Sequence, residues 1–258
     1  MIRSSDDFLG PTLGGDGGWL KENGMLRVAL FSDVHGNLTA LNAVLAALDG
    51  HRPVQLIVAA GDLALIGPRP AETWDRLQEA GCVCLMGNED EVLWNTPPHP
   101  AEGSLFAPIV HARLGPTVAA LGPDRMAAMQ AKPRSLRLAP APGQDLLVVH
   151  ANLHGLYGWA LSPNLTEDDL ERLYGGTNAA VVCCGHFHES SVRVWGDTTL
   201  VNIASVSIPR DNQPLAAYTI LEWDGTWQIA QYRVPYDADA EERAWTTSPI
   251  PRTPPAQP

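Results

Sequence analysis

Nearly every apolar, strand-like run in the middle of this chain ends in a residue able to hold a metal. That regularity constrains the fold more than any other feature. LRVALF at 26–31 runs into Asp33 and His35, LIVAA at 56–60 into Gly61 and Asp62, and CVCLM at 82–86 into Gly87 and Asn88. DLLVVH ends on His150, and AAVVCCG at 179–185 leads into His186 and His188. Short apolar runs bounded by turn residues fit strands buried on both faces. Between the first of them, Leu38, Leu41, Val44, Leu45 and Leu48 share one helical face, with Gly50 as a stop, and a second helix is expected from about Ala71 to Ala80. Strand, helix, strand, helix, strand is the order of a parallel α/β sheet. Ligands collect beyond the carboxyl ends of such strands, so residues scattered from 33 to 188 can converge in space. Gly61, Gly87 and Gly185 beside them allow sharp turns and close backbone approach.

The second half is richer in strands: VRVW at 192–195, TLVNI at 199–203, AAYTIL at 216–221 and WQIAQYRV at 227–234. One helix interrupts them, where Thr166 and Asp169 form a capping-box pattern. Residues 97–142, rich in Pro and Ala, predict two or three covering helices. The two halves are expected to share one core over residues 25–237. Residues 1–24, with six glycines and no hydrophobic period, are expected to be a flexible Gly-rich tail. Residues 238–258, with prolines at 249, 251, 254, 255 and 258, are expected to be an extended Pro-rich tail.

Seventeen Lys and Arg against 29 Asp and Glu give a formal charge of −12. So acidic a surface repels polyphosphate backbones, which argues against nucleic-acid polymers as partners and leaves small anionic substrates. No apolar run approaches the ~20 residues of a membrane-spanning helix. Early Asp6 and Asp7 argue against a signal peptide, and the expected location is cytoplasmic. Cys82, Cys84, Cys183 and Cys184 all lie in apolar runs and are expected to be buried free thiols.

The candidate ligands comprise two carboxylates, one amide oxygen and four imidazoles: Asp33, His35, Asp62, Asn88, His150, His186 and His188. The mixed nitrogen and oxygen set suits Mn first, with Fe, Zn, Ni or Co as alternatives. It is too rich in nitrogen for a Ca or Mg cage and lacks the thiolates of a structural zinc site. Seven ligands exceed the needs of one ion. Two ions sharing a carboxylate would use them all, with Asp62 as the natural bridge.

DVHGN (33–37), GD (61–62), GNED (87–90), VVH (148–150) and GHFH (185–188), in that order, closely resemble the motifs of the calcineurin-like metallophosphoesterases. The resemblance spans about residues 26–235. LVNIASVSIPRD is similar to the segment that closes the site in that family's small bacterial phosphodiesterases and phosphatases. The resemblance implies an α/β fold, a four-layer α-β-β-α sandwich of two mixed β-sheets flanked by helices. It implies one metal on Asp33, His35 and His188, a second on Asn88, His150 and His186, and Asp62 between them.

It further implies a metal-dependent phosphoesterase, in first place a phosphodiesterase attacking small phosphodiesters with a metal-bridging hydroxide. The alternatives are a phosphomonoesterase or protein phosphatase, and a non-catalytic metal-binding scaffold. A homo-oligomer is compatible with the sequence. Two positions depart from the family pattern. Glu89 stands where a transition-state His is usual, with Asp90 in the place of the residue that orients it, so Asn88, Glu89 and Asp90 are the candidate catalytic residues. Ile203 and Ala204 replace Pro-Gly. Trp159 and His154 are expected near the cleft, Trp195, Trp223 and Trp227 in packing, and Arg210 and Asp211 in the closing loop or at phosphate.

Overall fold

In the computed structural model, residues 12–14, 25–95, 107–211 and 213–252 are described. In chain order they form β1 (Thr12–Gly14), β2 (Leu26–Phe31), α1 (Leu38–Ala47), β3 (Leu56–Ala59), α2 (Pro70–Glu79), β4 (Val83–Cys84) and α3 (Asn88–Val92). There follow α4 (Ala107–Gln130), β5 (Ser135–Ala139), β6 (Leu146–Val149), α5 (Glu167–Tyr174) and β7 (Val181–Cys184). Last come β8 (Ser190–Trp195), β9 (Thr198–Ile203), β10 (Leu215–Trp223), β11 (Trp227–Pro235) and α6 (Ala238–Ala244). One sheet has the order β1-β5-β6-β7-β9-β8, the other β11-β10-β2-β3-β4.

Side-chain alternation along the strands sorts the apolar residues into three cores. On β2, Val28 and Leu30 face the other sheet, where they meet Leu136, Leu146, Val148, Val181 and Val201. Ala29 and Phe31 face the opposite way, onto Leu41 and Val44 of α1, Trp74 and Leu77 of α2, and Leu121 of α4. On the far side, Leu147, Val149 and Val182 pack on Leu170 and Leu173 of α5. The result is helices, sheet, sheet, helix, the four layers expected. Both sheets are mixed: β2, β3 and β4 run parallel while β10 is antiparallel to β2. In the other sheet, β6, β7 and β9 run parallel while β5 is antiparallel to β6 and β8 is antiparallel to β9.

Local signals behave as anticipated. Thr166 and Asp169 form the reciprocal capping box of α5. α4 is two helices joined at Gly122, whose φ of 71° breaks the helical path before Pro123. All four cysteines are buried and free. Trp195 packs beside α5, and Trp223 and Trp227 pack at the margin of the intersheet core. Among the described residues no helix is long and apolar enough to cross a membrane.

Both tails differ from expectation where they are described. Thr12–Gly14 pair in parallel with Arg137–Ala139 at a sheet edge; the rest of residues 1–24 lie outside the described residues. Residues 238–252 are not an extended tail. Asp237 caps α6 by accepting from the Ala240 N–H at 2.8 Å, and Ile250 is buried. The Ser248 hydroxyl donates to the Pro68 carbonyl, and Arg113 donates to the carbonyls of Ile66, Pro251 and Arg252. Proline loses its donor but keeps its acceptor, so a Pro-rich stretch packs wherever the body offers fixed donors.

Candidate metal centre

The strand-end residues share an unusual backbone. Among the described residues, non-glycine residues with φ between 48° and 91° are Asp33, His35, Asp62, Ile66, His186, His188 and Ala204. Five of these are candidate ligands. The left-handed region is disfavoured for residues with a Cβ, and such strain persists where surrounding structure over-determines it, commonly at functional sites. Close approach adds to this. A Cβ on Gly61, itself at φ 97°, would lie 2.7 Å from both Gly87 Cα and His150 Nδ1, and one on Gly87 would collide with Asp62.

Two groups of donors result, Asp33 with His35 and His188, and Asp62 with His150 and His186. Within each group the donor atoms lie within 4.8 Å of one another. Asn88 joins the second, its Oδ1 2.9 Å from His150 Nε2. Asp62 Oδ2 connects the two, 3.5 Å from His150 Nε2 and 3.9 Å from His35 Nε2. Its Oδ1 accepts from the Glu89 N–H at 2.8 Å.

Each imidazole is oriented from behind by a backbone carbonyl. Nδ1 of His150, His188 and His35 faces the carbonyls of Ala60 (2.8 Å), Ile208 (3.1 Å) and Leu65 (3.3 Å). For His186 it is Nε2 that faces Gly158, at 3.1 Å. A carbonyl only accepts, so these nitrogens carry a proton and the opposite ring nitrogens point inward, the orientation that metal-binding histidines require.

Electrostatics agrees with a site for cations. Burial alone would raise the carboxyls of Asp33 and Asp62, yet His188 holds Asp33 and His150 holds Asp62 below the usual carboxylate range. Burial alone would likewise depress His150, but the Asp62 carboxylate pushes it up to about 10. Burial, then His150, brings His186 down to about 4. His35 Nε2 is buried with no hydrogen-bond partner. His150 Nε2 faces two oxygen acceptors, a contact that requires positive charge between them. Two carboxylates, an amide oxygen and four inward imidazole nitrogens therefore fit two transition-metal ions.

The three candidate catalytic residues separate. Asn88 and Glu89 line a cavity of about 990 Å³ above the donors. The Asn88 amide donates to Glu89 Oε1 at 3.3 Å, while the buried Oε2 has no partner. Burial, then Asp62 and Asp90, pushes Glu89 up to about 8. Asp90 is turned away from the cavity. Its carboxylate accepts three backbone N–H bonds at 2.9 Å, from Asp62, Leu63 and Gly87, and so ties together the two turns that carry Asp62 and Asn88. It positions backbone rather than orienting Glu89.

Other expectations near the cleft shift. Trp159 is 61% exposed and lies off the cavity. Tyr157, two residues earlier, lines it instead, with its hydroxyl donating to the Asn88 carbonyl at 3.4 Å. His154 is exposed and bonded to the Arg172 carbonyl. Asp211 pairs with Arg233, whereas Arg210 lines the cavity. Ser205, unremarked in the sequence, donates to the Asp33 carbonyl at 3.0 Å and accepts from the N–H groups of Ser207 and Ile208. Tyr157 carries no spacing signal by which sequence could single it out, whereas Ser205 lies inside LVNIASVSIPRD, the segment similar to the one that closes the site in the family.

Residues 26–226 match the calcineurin-like phosphoesterase superfamily domain. A crystal structure of a metallophosphoesterase from Sphaerobacter thermophilus is similar, with a TM-score of 0.67 and 21% identity over 88% of this chain and 95% of that one. So is that of a hypothetical protein from Pyrococcus horikoshii, with a TM-score of 0.73 and 16% identity over 88% of this chain and 94% of that one. An uncharacterized protein of Methanocaldococcus jannaschii is 36% identical over 63 residues, 24% of this chain and 26% of that protein. The chain thus matches about a quarter of the length of that curated relative. At these identities the two solved structures speak to the fold alone.

Proposed function

The chain belongs to the calcineurin-like phosphoesterase superfamily, and from that premise we propose that it hydrolyses small phosphodiesters at a site for two divalent metal ions, manganese first among them. The observation that carries this reading is the pair of donor groups joined through Asp62 on the floor of a cavity large enough for a small organic ligand. Asp33, His35 and His188 would hold one ion, and Asn88, His150 and His186 the other, with Asp62 shared. When bound, the ions supply Lewis-acid polarisation of a phosphoryl oxygen and lower the pKa of water at the site.

The chain's own residues set the geometry. The four carbonyl anchors hold the imidazoles without rearrangement, and Asp90 fixes the spacing of the Asp62 and Asn88 turns. The Asn88 amide presents a donor beside the floor, where negative charge develops on phosphoryl oxygens. Tyr157 and Phe187 line the walls and limit water.

Preference for diesters follows from charge. The cavity is lined by the carboxyls of Asp62 and Glu89 against one guanidinium, that of Arg210. A monoester carries about two negative charges at neutral pH and a diester one, so the Glu89 carboxyl, once ionised, penalises the monoester more.

Initial rates on bis(p-nitrophenyl) phosphate and on p-nitrophenyl phosphate, with and without Mn²⁺, test the reading, with Asp62→Asn as the control. The expected result is Mn²⁺-dependent turnover, faster on the diester and lost in Asp62→Asn. Faster monoester turnover would overturn the diester preference. A protein that binds two ions per chain and cleaves neither ester would overturn the enzyme reading in favour of a metal-dependent scaffold.

A further inference from the structure

Arg210 breaks the ion-pairing pattern of the molecule. Among the described residues, every Arg and Lys has a carboxylate within ion-pair distance except Arg113, Lys132 and Arg210. Arg113 is spent on three backbone carbonyls and on Trp245, whose ring centroid is 4.5 Å away. Lys132 lies over the Trp74 ring. Arg210 alone of the three lines the cavity. In a chain of formal charge −12, a cation with no described anion opposite it is conspicuous.

It is also held in place. The Arg210 guanidinium carbon lies 3.8 Å from the Phe187 ring centroid, and Nε donates to the Phe187 carbonyl at 2.7 Å. The Arg210 N–H donates to the His188 carbonyl at 3.1 Å, which ties the residue to the metal-ligand loop. Asp211, the nearest carboxylate in sequence, is taken by Arg233. The stack and the Nε bond leave both terminal nitrogens without a described partner. They form a planar fork matched to phosphate or carboxylate oxygens.

Asp33, His35, Asp62, Asn88 and His150 of the donor floor are buried, whereas Arg210 is exposed at the cavity wall. The fork is therefore reached from the solvent side of the cavity rather than from among the buried donors. We propose that Arg210 is a specificity residue that binds a second anionic group of the substrate, a phosphate or carboxylate remote from the scissile diester. The proposal rests on the diesterase reading for what is cleaved, but the binding it describes needs no turnover.

The test compares two ligands that differ by one phosphate. Dissociation constants of thymidine 3′,5′-bisphosphate and thymidine 5′-monophosphate are measured by calorimetry on the Mn²⁺-loaded protein. In parallel, KM and kcat are measured for thymidine 5′-(p-nitrophenyl phosphate) with and without a 3′-phosphate. The bisphosphate is expected to bind about tenfold tighter, as one charge-assisted contact at an exposed site provides. Arg210→Gln should bring that ratio close to one, and Arg210→Lys should keep part of it. The same preference should appear in KM and not in kcat.

Equal weakening of both ligands in Arg210→Gln would overturn the proposal, because it would place Arg210 at the common phosphate. Absence of a preference in the unaltered protein would overturn it as well. A protein that binds the bisphosphate through Arg210 yet cleaves no ester would sink the diesterase reading and leave this one standing.

Discussion

The floor and the wall of the cavity are built by opposite rules. On the floor, Asp33, His35, Asp62, His150 and Asn88 are all buried, and each imidazole has a backbone carbonyl behind it. Their turns lock together through Asp90, which satisfies three buried N–H groups. On the wall, Tyr157 is 45% exposed, and Arg210 and Gln213 are exposed. The floor arranges groups that any phosphate ester would meet, and it is inseparable from the strand ends. On the proposed function, the wall would select among esters, with side chains that can change while the sheets stay as they are.

The largest expected effect tests the floor. Asp90→Ala strands three buried N–H donors, and at about 1–3 kcal/mol for each orphaned group the loss of stability should be about 3 kcal/mol or more. Urea unfolding of the metal-free variant measures it, and a change under about 1 kcal/mol would separate Asp90 from the floor's stability. Metal comes next. Ions that bind only the folded state at a thousandfold excess over Kd should add about 4 kcal/mol, read as a Mn²⁺-dependent rise in Tm. Asp33→Asn should shrink that rise.

On the wall the expectation reverses. Arg210→Gln should change ligand preference about tenfold while stability moves by about 1 kcal/mol or less, the scale of an exposed cation–π contact. A collapse in stability would mean that wall and floor are one unit. The smallest effect belongs to Trp159→Ala. Its exposed ring should matter by less than about 0.5 kcal/mol and leave both ester rates unchanged.

Sequence alone determined the list of converging residues, and the resemblance to the metallophosphoesterases implied the four layers. Period-two alternation assigns each strand residue to a core, and strand ends in a parallel sheet point to one edge, so position along the chain was enough to gather Asp33, His35, Asp62, Asn88, His150, His186 and His188. Only the tertiary structure decided that Asp90 clasps backbone, that Tyr157 rather than Trp159 faces the cavity, and that residues 238–252 pack on the body. It alone left Arg210 without a described carboxylate while pairing Asp211 with Arg233. The physical reason is common to all four. Each depends on hydrogen bonds or charges between residues far apart in the chain, often through backbone carbonyls and N–H groups that nearly every residue carries, and no local pattern of residue types distinguishes the ones that are used.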